Sequence, residues 1–327
     1  MIRIATIGTS NITSHLAGAL MLCPEQFEYK AAYSRSRERG LAFAAPFGCT
    51  DIVTDLEELA NRDDLDAVYI ASPNSLHYEQ AMTLVQHKKH LLIEKPAVIH
   101  EEDYFRLRQA AEENGVVLME ALIGMHLPAR KILKEAIENI GRIHTARFEF
   151  CQLSSKYRDY LLGENPNIFN PRFQAGSLMD LGIYCVYPAL HLFGIPAGIS
   201  TRACLLDSGI DASVTSIFDY SDRLVTLMAS KTAQSELPSE ILGDRGSIQI
   251  GHISRMDHIT LTDQNGHCEE LVGEMSKEEQ MKHELLDFFR YITQPEQSRE
   301  EYQSMLNLSL HVCSVMETMR MQAGLPF

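Results

Sequence analysis

QAGSLMDLGIYCVYPALHLFG, residues 174–194, is the stretch that decides how the second half of the chain is organised. Apolar side chains occur on nearly every side of it, which predicts a helix buried in a core. The segment is too short, and too often interrupted by Gly and Pro, to span a membrane. Ser177 is a candidate cap at its start, and Gly194 followed by Pro196 predicts its end.

Asp180 and Tyr184 are the polar, reactive side chains within this apolar segment. They are four residues apart, so a helix places both on one face. A buried carboxylate is costly unless it is paired or hydrogen-bonded, and Gly182 leaves room for a ligand to approach the backbone. The helix alone leaves two interpretations open: a catalytic site, or a structural hydrogen bond between an acid and a phenol in a core.

Composition narrows the classes of function. The 327 residues are enough for two domains, and the net charge of −15 argues against a nucleic-acid or anionic-membrane partner. Seven scattered cysteines contain no Cys-x-x-Cys motif, which fits a reducing cytoplasm. We see neither a signal-peptide pattern nor a transmembrane segment, and expect a cytoplasmic protein. No His-Glu-x-x-His motif occurs among the 13 histidines, so metal-dependent hydrolysis has little support and we expect no metal site.

The order of predicted elements indicates two domains. Residues 1–121 alternate short apolar runs with amphipathic segments, which predicts an α/β domain with a doubly wound parallel sheet. Ligands of such sheets bind beyond the carboxyl ends of the strands. Residues 122–327 contain successive β-type runs between 198 and 261 and finish in two helices. They predict a second α/β domain with an open, mostly antiparallel sheet.

The first predicted strand ends in the turn Gly8, Thr9, Ser10, Asn11 and Ile12, followed by Thr13. The dinucleotide fingerprint Gly-x-Gly-x-x-Gly would require glycine at positions 10 and 13, so the motif match is weak. The physical setting is more favourable, because a helix N-terminus after a tight turn offers free N–H groups to a pyrophosphate. An ordinary strand-to-helix turn is the alternative.

The second predicted strand ends before Ser34, Arg35 and Arg39. Enzymes selective for NAD commonly place an acid at this position, beside the adenosine ribose. Two arginines and a serine suit a 2′-phosphate instead, which predicts NADP. The alternative is a solvated, basic helix start.

Two further strand ends carry the turn Ser72-Pro73-Asn74 with His77, and the sequence Glu94-Lys95-Pro96. A dinucleotide half, a Pro-Asn-x-x-His turn, Glu-Lys-Pro and an Ala-Gly-Ser-Leu-Met-Asp-Leu-Gly-Ile-Tyr helix follow one another in this chain. This ordered set resembles the Gfo/Idh/MocA oxidoreductase family over essentially the whole length. Glu-Lys-Pro alone would be weakly specific.

The resemblance implies a Rossmann domain, residues 1–121, and a substrate-binding and dimerisation domain, residues 122–327. The family's catalytic lysine matches Lys95 and its helix aspartate matches Asp180. Many members carry a histidine four residues after that aspartate. Tyr184 stands there instead, which resembles the dihydrodiol dehydrogenase branch, where a tyrosine is the acid/base. Lys95 is then expected to lower the pKa of the phenol.

From these observations we expect an enzyme that transfers a hydride between NADP, with NAD as the alternative, and a carbinol or carbonyl carbon of a sugar, polyol or cyclic diol. A homodimer or higher homo-oligomer formed through the second sheet is expected as well. A catalytically weak dinucleotide-binding sensor is the alternative. The expected cofactor-binding residues are Gly8, Thr9, Ser10, Asn11, Ile12, Ser34, Arg35, Arg39, Ser72, Pro73, Asn74, His77, Glu94 and Lys95.

Overall fold

A six-stranded parallel sheet forms the centre of the first of two units in the computed structural model, which describes residues Met1–Phe327. Its strand order is β3-β2-β1-β4-β5-β6, and every neighbouring pair is parallel. The crossover between the two halves lies at β1, which pairs with both β2 and β4. This confirms the predicted doubly wound sheet. The strands are β1 Ile2–Ile7, β2 Phe27–Tyr33, β3 Ile52–Val53, β4 Ala67–Ile70, β5 His90–Glu94 and β6 Leu118–Ala121.

Local capping sets the ends of the helices that connect these strands. Ser36 and Asp55 accept hydrogen bonds from backbone N–H groups at the starts of α2 and α3. Gly115, with φ +66°, ends α5 in the left-handed conformation that glycine adopts at low cost. The helices are α1 Asn11–Met21, α2 Arg37–Ala44, α3 Leu56–Ala60, α4 His77–Gln86 and α5 Glu101–Asn114.

The second unit contains an eight-stranded sheet of order β14-β13-β12-β11-β7-β10-β9-β8. All neighbours are antiparallel except β7 and β10, so the predicted mostly antiparallel sheet is confirmed. The sequence patterns missed β14, whose Glu-Glu pair is exposed, and the two-residue β3. The strands are β7 Ile143–Cys151, β8 Gly198–Leu205, β9 Asp211–Asp219, β10 Leu224–Ser230, β11 Ser239–Gly243, β12 Gly246–His252, β13 Asp257–Asp263 and β14 Cys268–Val272.

The segment 174–194 is buried, as its composition predicted. After α6 Ala129–Ala136 and α7 Tyr157–Leu161, the chain forms one π-helical turn, Leu178–Gly182, that continues into α8 Ile183–Phe193. The helix contacts β7 and β10, and Gly194 follows its last residue. A π-turn widens a helix by one residue and frequently occurs at functional sites. No helix in the chain combines the length and apolarity needed to cross a bilayer.

The chain ends in two helices, α9 Lys277–Thr293 and α10 Pro295–Ala323. The sequence predicts both helices within one continuous domain, residues 122–327. The first unit comprises Met1–Leu122 together with Ser276–Leu310, and the second comprises Ile123–Met275 with His311–Phe327. Helix α9 packs on α1, and Phe289 meets Phe27 edge to face at 5.9 Å. The apolar side chains along a helix predict that it packs in a hydrophobic core. They do not predict which of the two units supplies that core.

Candidate active site

Gly8 ends β1 in a conformation that only glycine adopts easily. Its φ is +111°, and a Cβ atom there would lie 2.5 Å from the carbonyl oxygen of Ala71. Any side chain would therefore collide with the backbone that leaves β4. The close approach brings the carboxyl ends of β1 and β4 together, where a parallel sheet binds its ligands.

Ser10 and Thr13, the two residues that depart from the glycine fingerprint, are hydrogen-bonded to each other. Their hydroxyl oxygens lie 3.0 Å apart, and Thr13 is fully buried. Ser10 occupies the cap position of α1, yet its side chain accepts no hydrogen bond from the helix backbone. The N–H groups of the first turn, which includes Asn11 and Ile12, therefore have no side-chain cap. An anion at this helix end would be favoured by those N–H groups and by the helix dipole.

Ser34 is buried at the end of β2, whereas Arg35, Arg37 and Arg39 are exposed. Ser34 Oγ accepts a 3.4 Å hydrogen bond from the backbone N–H of Ser36. Gly40 lets α2 approach this strand end and β3, because a Cβ there would lie 3.1 Å from the Cβ of Ser34 and 2.7 Å from Ile52. None of the three guanidinium groups forms an ion pair within the chain.

His77 connects the turn after β4 with the turn after β5. Its Nδ1 lies 2.9 Å from the carbonyl oxygen of Pro96, and its Nε2 lies 2.8 Å from that of Ser72. Burial lowers the pKa of the imidazole, while the two carbonyl oxygens raise it to a smaller extent. His77 is therefore placed to hold the Ser72-Pro73-Asn74 turn against the Lys95-Pro96 turn rather than to face a ligand.

Glu94, beside Lys95 at the end of β5, accepts a hydrogen bond from the hydroxyl of Tyr69. Desolvation raises the pKa of Glu94, and the positive charge of Lys95 opposes that change. Glu284 on α9 lies within electrostatic range, is fully buried, and has no hydrogen-bond partner for either carboxylate oxygen. Burial raises its pKa well above the usual value, and the charge of Glu94 adds to the effect. The sequence patterns did not single out Glu284.

In the second unit, Asp211 takes the capping role that was expected of Ser177. Asp211 Oδ2 accepts a 2.6 Å hydrogen bond from the N–H of Leu178. The hydroxyl of Ser177 instead contacts the carbonyl oxygens of Asp211 and Ala212, and accepts from the N–H of Lys231. The Ser177 cap prediction is thus wrong. Ser177 already has helical φ and ψ, unlike a typical cap residue, and its side chain makes no capping hydrogen bond.

Lys231, directly after β10, forms an ion pair with Asp180. It is mostly buried and also lowers the pKa of Asp211, which burial raises to about 7. Lys231 is the main residue of this half that sequence reasoning missed. A signal was present, since it is a lone lysine that directly follows an apolar strand. Its significance depends on a strand register that the sequence does not display.

Tyr184 lies one turn beyond Asp180, and both side chains are partly exposed. The Tyr184 ring meets Phe150 of β7 edge to face at 5.6 Å, which restricts its orientation. Gly182 does not provide the ligand approach that was expected of it. It is buried, and a Cβ there would lie 3.0 Å from Leu178 and 3.8 Å from Ala229. Its small size leaves room for the side chain of Leu178, one turn earlier.

Comparison with known proteins identifies the family of this chain. Residues 2–122 match the family model described as oxidoreductase family, NAD-binding Rossmann fold. Residues 129–249 match the GFO/IDH/MocA C-terminal domain. The chain belongs to the Gfo/Idh/MocA oxidoreductase family. It is an enzyme that uses a nicotinamide dinucleotide, as the sequence predicted.

Curated relatives of the chain include two named dehydrogenases. Scyllo-inositol 2-dehydrogenase (NADP(+)) IolU of Bacillus subtilis is 39% identical over 100% of this chain and 98% of its own. Trans-1,2-dihydrobenzene-1,2-diol dehydrogenase of Xenopus laevis is 26% identical over 74% of this chain and 73% of its own. The structure of KijD10, a 3-ketoreductase from Actinomadura kijaniata in complex with NADP, covers 98% of both chains with a TM-score of 0.86 and 23% identity. That last likeness shows the fold.

The residues present fit the dinucleotide that this family binds. Gly8 keeps the space beside the helix α1 N-terminus free of a side chain, and the first turn of α1 has no side-chain cap. The guanidinium groups of Arg35 and Arg39 are exposed and without an ion-pair partner. These features offer N–H donors and positive charge to an anionic ligand at two successive strand ends.

The close packing of Gly176 against Asp211 leads to a prediction about stability. Gly176→Ala is expected to destabilise the protein more than Gly163→Ala, a matched control that also has positive φ. Left-handed backbone costs a non-glycine residue about 1–2 kcal/mol at either position. Only at 176 would the new Cβ collide with Asp211, whose Oδ1 would lie 2.1 Å away, whereas nothing lies within 4 Å at 163. Urea unfolding measures both costs, and equal costs would contradict the clash.

Proposed function

We propose that this protein is an NADP-preferring dehydrogenase or reductase that interconverts a carbinol and a carbonyl on a sugar, polyol or cyclic diol. The observation that carries the cofactor preference is the pair of exposed, unpaired guanidinium groups, Arg35 and Arg39, next to Ser34 at the end of β2. The polyol class is supported by the 39% identity to a scyllo-inositol 2-dehydrogenase (NADP(+)) over the whole chain.

The first unit would hold the dinucleotide through the groups at its strand ends. The Gly8–Ile12 turn would donate backbone N–H groups to the pyrophosphate. Ser34, Arg35 and Arg39 would bind the 2′-phosphate. The Ser72-Pro73-Asn74 turn, kept in position by His77, and the Glu94-Lys95 pair would line the remainder of the cofactor site. When bound, the nicotinamide accepts or supplies a hydride.

The protein's own task is then to move and hold the hydroxyl proton. Tyr184 is proposed as the general acid/base, with Lys95 supplying positive charge that favours its phenolate form. Asp180 is proposed to bind a substrate hydroxyl or to orient Lys95. Its ion pair with Lys231 restrains the carboxylate for either task.

The sensor alternative gains no support. That alternative was based on the replacement of two glycines in the nucleotide loop by Ser10 and Thr13. In the structure these two hydroxyl groups bond to each other, and the start of α1 has no side-chain cap. A cytoplasmic location remains part of the proposal. All seven cysteines are free thiols in the structure, five of them buried, which suits a reducing compartment.

Removing the two arginines tests the cofactor assignment. Arg35→Ala combined with Arg39→Ala should weaken NADP binding by about 10² or more, since each hydrogen bond to a charged group contributes about 1.5–3 kcal/mol. NAD, which lacks the 2′-phosphate, should bind almost unchanged. Arg37→Ala is the matched control, because Arg37 shares their exposure and lies between them in sequence. Fluorescence titration with both cofactors measures the effect, and equal weakening of the two would refute the assignment.

Removal of one hydroxyl tests the proton-transfer role. Tyr184→Phe preserves the contact with Phe150 and should leave the Kd of NADP unchanged while kcat falls about 10²–10⁴-fold, the usual contribution of general acid–base catalysis. Lys95→Met should lower kcat further. The double variant should be little worse than Lys95→Met if the two residues act as a unit. Pre-steady-state measurement isolates the chemical step from product release, and an unchanged rate of that step in Tyr184→Phe would exclude the role.

The exposed face of the second sheet motivates a proposal of self-association. Ile217 and Leu242 are 45% and 39% exposed on strands of this sheet, next to partly exposed Thr226 and Met228. We propose a homodimer, or a larger assembly built from it, that covers this face. Light scattering at micromolar concentration should give twice the chain mass, and Ile217→Lys with Leu242→Lys should halve it. A monomeric unmodified protein would refute the proposal.

A further inference from the structure

The hairpin that joins β12 to β13 places three metal-ligating side chains together. His252 is the last residue of β12, and Asp257 and His258 are the first two residues of β13. One ring nitrogen from each histidine and one carboxylate oxygen of Asp257 all lie within 4.8 Å of one another. The imidazole rings pack edge to face with centroids 5.9 Å apart.

Asp257 supplies an independent observation that points to a ligand. It is 1% exposed, and its Oδ2 accepts a 2.8 Å hydrogen bond from Arg255 Nε. Its Oδ1 is buried and has no hydrogen-bond partner. A buried acceptor without a partner costs about 1–3 kcal/mol, and more when it is charged. The two histidines beside this carboxylate are exposed, so an ion could reach the group from solvent.

The hairpin backbone holds these ligands in place from beneath. Ile253 and Met256 are buried, and the N–H groups of Arg255 and Met256 both donate to the carbonyl oxygen of His252. Gly251 allows His258 to lie against the hairpin, because a Cβ at 251 would be 2.7 Å from the Cβ of His258. His252 and Arg255 also line a polar cavity of about 180 Å³, which gives water access to the histidine.

We propose that His252, Asp257 and His258 bind a divalent transition-metal ion of the zinc class. Two imidazoles and one carboxylate form a common donor set for Zn²⁺, with water or a further carboxylate completing four-coordination. Ligand atoms around a tetrahedral zinc ion lie about 3.3 Å apart, so modest rotation of the exposed histidines closes the site. Glu270 Oε1, 3.8 Å from His258 Nδ1, is positioned to orient that ring.

The ion would link the ends of β12 and β13 and supply the missing partner of Asp257 Oδ1. It would bind only the folded hairpin, because these ligands converge through the pairing of His252 with Asp257. Metal binding would therefore stabilise the native state. The proposal is independent of the catalytic residues and of the cofactor assignment, since all its ligands lie on one hairpin of the second unit.

The test uses the full chain without a histidine tag, stripped by a chelator, with both exposed cysteines, Cys204 and Cys268, replaced by serine. Calorimetric titration with Zn²⁺ should give one ion per chain and a raised Tm. Mg²⁺ and Ca²⁺, which prefer all-oxygen sites, should show neither effect. His252→Gln and His258→Gln should each weaken Zn²⁺ binding by at least about tenfold, because losing a group that only orients a ligand costs 10–100-fold.

His267→Gln is the matched control, since His267 is an exposed histidine in the neighbouring turn between β13 and β14. It should retain the affinity of the parent protein. Asp257→Asn adds a second check but alters a buried residue, so the two exposed histidine variants decide the outcome. Absence of saturable binding at one Zn²⁺ per chain would overturn the proposal, and so would equal affinities of His258→Gln and His267→Gln.

Discussion

The second unit depends on a buried hydrogen-bond cluster at the start of the α8 segment. Asp211 caps the first turn, Ser177 bonds to the strand ends, and Lys231 pairs with Asp180 while its charge lowers the pKa of Asp211. Burying a charge costs several kcal/mol unless partners compensate for it. The N–H of Leu178 and the charge of Lys231 lower the pKa of the Asp211 carboxylate, but burial outweighs them and raises it to about 7, and Gly176 leaves the space that this carboxylate needs. The position of Asp180 is therefore fixed by the same contacts that stabilise the fold.

In the first unit, by contrast, backbone N–H groups at the start of α1 and two guanidinium groups at a strand end have no side-chain partner. Helix α1 begins without a side-chain cap, although Ser10 stands at the position where a serine usually caps. The chain contains 44 acidic residues against 29 lysines and arginines, yet Arg35 and Arg39 form no ion pair. A free donor or cation in so acidic a protein is available for an anionic ligand. The electrostatics of this edge thus support a phosphate-bearing cofactor more directly than the glycine motif does.

Residues whose role follows from local spacing were predictable from the sequence. Gly8, Gly115 and the strand-end turns at Ser72 and Glu94 act through backbone conformation and chain order, both of which the sequence displays. Asp211, Lys231 and Glu284 were not predictable, because each acquires its role through strand register or helix docking across long sequence separations. Ser177 shows the boundary between the two cases. Its residue type suits a cap, but the nearby strand ends offer its hydroxyl three backbone partners instead.

The ion pair between Asp180 and Lys231 affects which roles we propose for Asp180 and Tyr184 in catalysis. An ammonium neighbour favours the ionised form of a carboxylate, and an ionised carboxylate accepts hydrogen bonds but has no proton to give. We propose that Asp180, held in this ion pair, positions a hydroxyl or an amine and that Tyr184 transfers the proton. Tyr184, one turn further along and restrained by Phe150, carries a group that can both donate and accept. The π-turn between Leu178 and Gly182 contains the acid, and the regular helix that follows contains the phenol. We therefore propose different tasks for these two side chains of one helix.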